Sequence, residues 1–175
     1  AVERLLDLAV AAIVSGRLDE AEKTVRLVRA RAKNRNSAFA ATTLLSEIKR
    51  RQAGEDAIAQ ERAIGLVLRE LPRPRFGAAT VVFQLYQTDA QVDANVEQIK
   101  TQMVALETAS SVLFFEGVLR NVVANRARFL RAIDTVRAEN EARPADAPFA
   151  FSTVDLTRAR DAQDVVVGIW DTGTQ

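Results

Sequence analysis

The sequence contains neither cysteine nor histidine among its 175 residues. The absence of cysteine excludes disulfide bonds and thiolate chemistry, and it fits a secreted bacterial protein as well as a cytosolic one. The absence of histidine removes the commonest general base, a frequent metal ligand and the middle member of a Ser-His-Asp triad. No P-loop, dinucleotide fingerprint or metal-ligand spacing is present either. We therefore predict no cofactor site and no metal site in these residues.

Glycine and proline are scarce, at seven and four residues, which favours helices over a turn-rich β fold. The net charge of +1 gives no excess of positive charge for binding nucleic acid or an anionic membrane. No apolar run reaches membrane-spanning length, because Glu3, Arg4 and Asp7 interrupt the N-terminal one. We therefore predict a mainly α-helical protein that binds no nucleic acid and has no membrane span.

Apolar residues recur at helical spacing through most of the first 142 residues. They predict helical hairpins or a bundle, with helices over 2–14, from Asp19 onward, over 36–54 and over 55–71. Pro72 and Pro74 end the fourth helix, because proline lacks the N–H donor and restricts the residue before it. The stretch 79–87, ATVVFQLYQ, is ambiguous, since its β-branched and aromatic residues favour a strand and its neighbours favour a helix.

The longest helical pattern begins at Thr88 or Asp89 and continues to about residue 142. Its apolar seam shifts between Ser110 and Gly117, which indicates either a stutter in one helix or a turn between two. We interpret the pattern as one continuous helix. A helix of that length would project from the bundle with its seam exposed, so we predict a homodimer.

The first two helices place small residues where they cross and a glycine where they turn, in the segment LLDLAVAAIVSGRLDEAEKTVRLVRA. This pattern, over residues 5–33, resembles a single tetratricopeptide repeat. The matching positions are Leu5, Leu8, Ala9, Ala12, Gly16, Ala21, Val25 and Val28. The early aromatic residues and closing proline of that family are absent, and a solenoid needs about three repeats. An ordinary helical hairpin is therefore the alternative.

Residues 143–149, RPADAPF, contain two prolines and predict a linker. The linker separates a helical domain at 1–142 from a different region at 150–175. That second region contains a continuous, β-branched apolar run at 165–170, which is typical of a strand covered on both faces. The run ends in Asp171-Thr172-Gly173.

The segment DVVVGIWDTGTQ resembles the part of subtilisin-like serine peptidases that carries the acidic member of the triad. The resemblance implies that Asp171 orients a histidine and stabilises its imidazolium form, while Thr172 and Gly173 hold the turn. Trp170 is bulkier than the aliphatic residue usual there. The resemblance implies the start of an incomplete α/β catalytic domain, which would have the rest of that domain as its partner. It favours a secreted or periplasmic location, although a cytoplasmic one stays open.

Other interpretations of the same motif stay open. Aspartic peptidases also use Asp-Thr-Gly, but they need two such aspartates in a mostly β scaffold. Asp171 could also only cap a turn after a buried strand. For the whole chain, the alternative is a helical, tetratricopeptide-like protein–protein interaction module without a catalytic role. The basic clusters are interpreted as solvated faces, with phosphate binding as the alternative; they comprise Arg29, Arg31, Lys33, Arg35, Arg126, Arg128 and Arg131.

Overall fold

The computed structural model describes residues 2–32, 35–102 and 111–143. This part of the chain is almost entirely α-helical and contains no β-strand, which confirms the mainly α prediction. The predicted strand at 165–170, nearly all of the predicted linker and Asp171, Thr172 and Gly173 lie outside the described residues. The described helices belong to one compact unit that ends at Arg143.

We label eight α-helices in the described residues. They are α1 (Val2–Val14), α2 (Leu18–Arg31), α3 (Arg35–Gln52), α4 (Ala57–Arg69), α5 (Arg73–Leu85), α6 (Asp89–Gln102), α7 (Arg120–Ala124) and α8 (Arg126–Ala142). Residues 111–114 are also helical, and they lead into one π-helical turn, Phe115–Leu119, which we call the π turn. No helix of the described ranges is both long and apolar enough to cross a membrane.

Local sequence signals set several of the boundaries. Gly16 and Gly54 adopt φ angles of 74° and 75°, a left-handed conformation that glycine tolerates best, and they follow α1 and α3. The carboxylate of Asp56 caps α4 by accepting a hydrogen bond of 2.9 Å from the amide of Ile58. Pro72 is the N-cap of α5, and Pro74 lies in its first turn, where a missing N–H costs nothing.

Helix α3 lies at the centre of the unit, and all of its residues from 41 to 48 are buried. It packs against α1, α2, α4 and α5. Leu44, Leu45 and Ile48 anchor a core cluster that also includes apolar side chains from α1 and α2. A second cluster joins α4, α5 and α8, where the rings of Phe83 and Phe129 stack with centroids 4.9 Å apart.

The ambiguous stretch 79–87 is largely helical, because α5 extends to Leu85. The buried residues of α5 are Phe76, Ala79, Thr80 and Phe83, at the three- and four-residue spacing of one helix face. The hydroxyl of Thr80 donates to the carbonyl of Phe76, which satisfies this buried polar group inside the helix. Burial against α8 therefore determines the helical conformation of this stretch, and it outweighs the strand preference of the β-branched residues.

The interpretation of residues 89–142 as one continuous helix is wrong. Helix α6 packs against the π turn and α7. Val92 and Leu119 share a buried cluster, whereas a straight helix would hold them about 40 Å apart. The guanidinium of Arg120 also lies 2.6 Å from the carboxylate of Asp93. A further break at Asn125, with φ −110° and ψ 14°, separates α7 from α8.

Folding back also changes the case for a homodimer. Most of the seam expected to be exposed is buried within the chain, and these buried residues are Val96, Leu119, Val122, Phe129, Ile133 and Val136. Within the described residues, most of this seam therefore packs inside one chain, although Leu113 stays 40% exposed. The homodimer stays a prediction, and its other support, the unpaired edges of the strand predicted at 165–170, lies outside the described residues.

Candidate functional site

The sequence-predicted catalytic residue, Asp171, and its turn residues, Thr172 and Gly173, lie outside the described residues. Their peptidase roles therefore stay predictions. Within the described residues, no group of three or more acidic side chains is arranged to hold a metal ion.

A buried ion-pair network lies on α3. Glu47 is 0% exposed, and its carboxylate accepts two hydrogen bonds from Arg50, of 2.8 and 2.9 Å. Arg51 donates a third, of 2.7 Å, from Nε. Arg50 also reaches the side chain of Gln60 on α4, at 3.5 Å. A buried carboxylate needs such pairing because desolvation of an isolated charge is costly.

Arg51 connects three parts of the structure. Its Nη1 donates to the carbonyl of Ile13 at 3.2 Å, near the end of α1, and its Nη2 donates to the carbonyl of Gly117 at 2.8 Å, in the π turn. The carbonyls at a helix end and in a π turn have incomplete helical hydrogen bonding, and a guanidinium can satisfy several acceptors in fixed geometry. Through these three hydrogen bonds Arg51 links α3 to the end of α1 and to the π turn.

The π turn meets α1 in close contact. A Cβ atom placed on Gly117 would overlap Cγ2 of Val14, far inside van der Waals distance. Glycine therefore leaves room at this position for the side chain of Val14. The π turn also orients Phe114 and Phe115, whose rings meet edge to face with centroids 5.7 Å apart.

The helices α2 and α3 are joined by a partly buried ion pair between Lys49 and Glu22, at 2.6 Å. Burial by itself would raise the pKa of Glu22, but hydrogen bonds from Lys49, Arg26 and Gln52 outweigh it and lower the pKa below its ordinary value. Glu22 is therefore held as a charged structural residue. It is a poor candidate for a proton donor.

One groove, the aromatic groove, lies between α1, α3 and the helical residues before the π turn. Its volume is about 170 Å³, and its lining is mostly apolar. The lining residues are Leu6, Asp7, Val10, Ala40, Leu44, Ser111, Phe114 and Phe115. Tyr86 packs edge-on against Phe115, with ring centroids 5.8 Å apart, and its burial raises the pKa of its hydroxyl. The groove can accept an apolar group of about the size of one side chain.

A second groove, the arginine groove, lies between the end of α2, the first half of α3 and the start of α5. Its volume is about 290 Å³. The lining residues are Arg29, Ala32, Ala38, Phe39, Thr42, Glu70, Leu71, Pro72, Arg75 and Ala79. Arg29 pairs with Glu70 and also donates to its carbonyl at 3.1 Å. The apolar lining residues, which we call the floor, are Ala32, Ala38, Phe39, Leu71, Pro72 and Ala79, and the charged ones, which we call the edge, are Arg29, Glu70 and Arg75.

Sequence reasoning missed both the Glu47 network and the arginine groove. Glu47, Arg50 and Arg51 have the three- and four-residue spacing of ordinary surface ion pairs, so spacing gave no sign of burial. Arg29 was assigned to a solvated basic cluster, and Arg75 was not singled out. Their approach to one groove depends on the packing of both α2 and α5 on α3, which local periodicity does not report.

The comparisons with known proteins found no matching family model, no matching curated protein and no matching solved structure.

Proposed function

We propose that this chain is the N-terminal helical region of a subtilisin-like serine endopeptidase, with a folding, regulatory or interaction role. In this proposal Asp171 is the acidic member of the triad, and Thr172 and Gly173 support its turn. The observation that carries the proposal is the sequence DVVVGIWDTGTQ, an apolar β-branched run that ends directly in Asp-Thr-Gly. We place the protein in a secreted or periplasmic setting, as the resemblance implies.

Two features support an interaction role for the helical unit. Ion pairs fix its hairpins together, and its grooves lie between helices that those pairs hold in place. The α1–α2 hairpin supports the tetratricopeptide-like interpretation, because Ala9, Ala12 and Ala21 are buried where small residues let helices approach. Leu8, however, is 62% exposed, so one of the matching positions does not pack as an interior residue.

The proposed chemistry needs residues that these 175 positions do not hold. A triad aspartate accepts a hydrogen bond from histidine and stabilises the imidazolium that forms when serine loses its proton. The sequence has no histidine. The 175-residue chain should therefore be inactive, and the resemblance implies that the histidine and serine segments of the triad would lie downstream of Asp171.

An activity assay on a longer gene product tests the proposal. We expect the product that continues past Gln175 to hydrolyse casein and to be labelled by a fluorophosphonate, while the 175-residue chain does neither. Asp171→Asn should lower kcat by about 10⁴-fold, because the histidine would then be held in the wrong tautomer. Asp164→Asn, a matched change just before the same apolar run, should leave kcat within about twofold. Equal activity of the Asp171→Asn variant and the unaltered enzyme would refute the role of Asp171.

A second candidate is a helical protein–protein interaction module with no catalytic role. Large exposed apolar side chains favour it, since Ile58 and Leu66 on α4 are 61% and 63% exposed. The same assay separates the two candidates. A longer product that folds but neither hydrolyses casein nor takes up the fluorophosphonate would favour this second function.

A further inference from the structure

The edge of the arginine groove carries positive charge that its neighbours only partly neutralise. Within the lining, the carboxylate of Glu70 pairs with Arg29. Arg26 lies outside the lining, 3.8 Å from Glu70, and it is already paired with Glu22 at 3.0 Å. Arg75 also lines the groove and is exposed. It forms no ion pair with any side chain in the described ranges. The lining therefore holds two arginines, Arg29 and Arg75, and one carboxylate, that of Glu70. Within the described ranges the guanidinium donors of Arg75 have no side-chain acceptor.

The floor of the same groove is apolar. Phe39 and Ala38 come from α3, Leu71 from the turn after α4 and Ala79 from α5. The only other polar side chain in the lining is Thr42, whose hydroxyl already donates to the carbonyl of Ala38 at 3.0 Å. The floor therefore offers van der Waals contact and no free hydrogen-bond donor.

We propose that the arginine groove binds an acidic peptide segment, with an aliphatic side chain on the floor and a neighbouring carboxylate on Arg75. The volume of about 290 Å³ lies at the lower limit for ligand pockets, so it suits one or two side chains. Arginine binds carboxylates through two parallel hydrogen bonds, which matches the free fork of Arg75. A bare phosphate would use the charge but leave the apolar floor without a function. This inference rests on the proposed interaction role and gives it a partner class.

Glu70 lies at the edge of the groove and carries the same negative charge as the proposed ligand, so it allows a sharper test. A bound carboxylate must either compete with Glu70 for Arg29 or pair with Arg75 while Glu70 repels it from nearby. Removing the charge of Glu70 should therefore strengthen binding, whereas removing that of Arg75 should weaken it. A change that merely disturbed the fold would weaken binding in both cases.

The experiment measures fluorescence polarisation of labelled nonapeptide pools on the 175-residue chain. The test pool has a central leucine flanked by glutamates, and a matched pool has glutamines in their place. We expect the glutamate pool to bind about tenfold more tightly, with a loss of affinity as salt rises. Arg75→Gln should weaken its binding about fivefold or more, and Glu70→Gln should strengthen it. Arg62→Gln, at an exposed arginine outside the groove, should change it less than about twofold.

Three outcomes would overturn the proposal. The first is equal binding of the glutamate and glutamine pools. The second is equal effects of Arg62→Gln and Arg75→Gln, with circular dichroism showing that both variants are folded. The third is equal binding of an acidic pool with glycine at its centre, since the site would then be a simple anion site that inorganic phosphate should also fill. None of these outcomes depends on peptidase activity, so failure here and failure of the catalytic proposal are distinguishable.

Discussion

Substitution of Glu47 by glutamine should be among the most destabilising single changes in the helical unit. The side chain keeps its shape, but it loses the charge that compensates two guanidinium groups, one of them only 10% exposed. The new amide N–H₂ group would also replace an acceptor that now receives hydrogen bonds from Arg50 or Arg51. Breaking a buried pair in this way costs about 3–5 kcal/mol, because charge remains buried without a partner.

Two matched variants set the scale for this value. Arg51→Met removes three hydrogen bonds but leaves Glu47 paired with Arg50, so we expect a smaller loss, of about 2–3 kcal/mol. Glu20→Gln removes an exposed ion pair with Arg17 and should cost less than about 0.5 kcal/mol. The predicted order of destabilisation is therefore Glu47→Gln, then Arg51→Met, then Glu20→Gln.

Urea denaturation followed by circular dichroism at 222 nm measures all three variants. A small domain is stable by about 5–15 kcal/mol, so Glu47→Gln would remove a large fraction of the total. The m-value should stay constant if the native and unfolded states keep their compactness. A free energy of unfolding for Glu47→Gln within about 1 kcal/mol of the unaltered chain would refute the reasoning, since the network would then contribute no more than a surface pair.

Three further predictions concern other parts of the chain. Gly117→Ala should destabilise the unit by about 1–2 kcal/mol, because the overlap with Val14 costs more than the gain in helix propensity. In a Val14→Ala background the same change should be neutral or stabilising. Urea denaturation of the unaltered chain, the two single variants and the double variant decides this. The ion pairs of Glu22 should stabilise the fold fully above the ordinary pKa of 4.5, and this stabilisation should disappear as pH falls through the lowered pKa of the folded state. The difference in free energy of unfolding between Glu22→Gln and the unaltered chain should therefore shrink in acid. A difference that does not change with pH would contradict this. Limited proteolysis should cut first within about residues 140–165, because the predicted linker contains two prolines and the predicted strand would have unpaired edges. Mass spectrometry of the early fragments checks this, and first cuts inside α1–α5 would show that the predicted boundary is wrong.

Much of the helical architecture was predictable because its signals are local. Gly16, Gly54, Asp56 and the two prolines at 72 and 74 each act on their own few residues, and the helices begin and end near them. The predicted apolar stripe of α2 comprised Leu18, Ala21, Val25 and Val28, of which the last three are buried and Leu18 is half-buried. These features need no knowledge of what the helix packs against.

The path of the chain after α6 was not predictable in the same way. An apolar seam with three- and four-residue spacing looks the same whether it packs on another copy or on its own chain. The return of Leu119 to Val92 depends on tertiary packing, and so does the close approach of Gly117 to Val14. The seam shift near Ser110–Gly117 did mark a real irregularity, because the π turn lies at Phe115–Leu119.

The candidate sites show the same division. Asp171 was found from a sequence motif alone, and it lies outside the described residues, so its role stays a prediction. The arginine groove has no sequence signature, since Arg29 and Arg75 are 46 positions apart in the sequence and meet only through the fold. Motifs identify chemistry that a short segment carries, whereas grooves between helices depend on packing.

The coding sequence that follows Gln175 tests the central proposal most directly. If the chain is the N-terminal region of a subtilisin-like peptidase, the same reading frame continues into a histidine segment of the His-Gly-Thr-His type and then a serine segment of the Gly-Thr-Ser type. Sequencing the transcript from the organism reads this region without expressing the protein. A stop codon directly after Gln175, or a continuation without those two segments, would contradict the assignment of Asp171 to a catalytic triad.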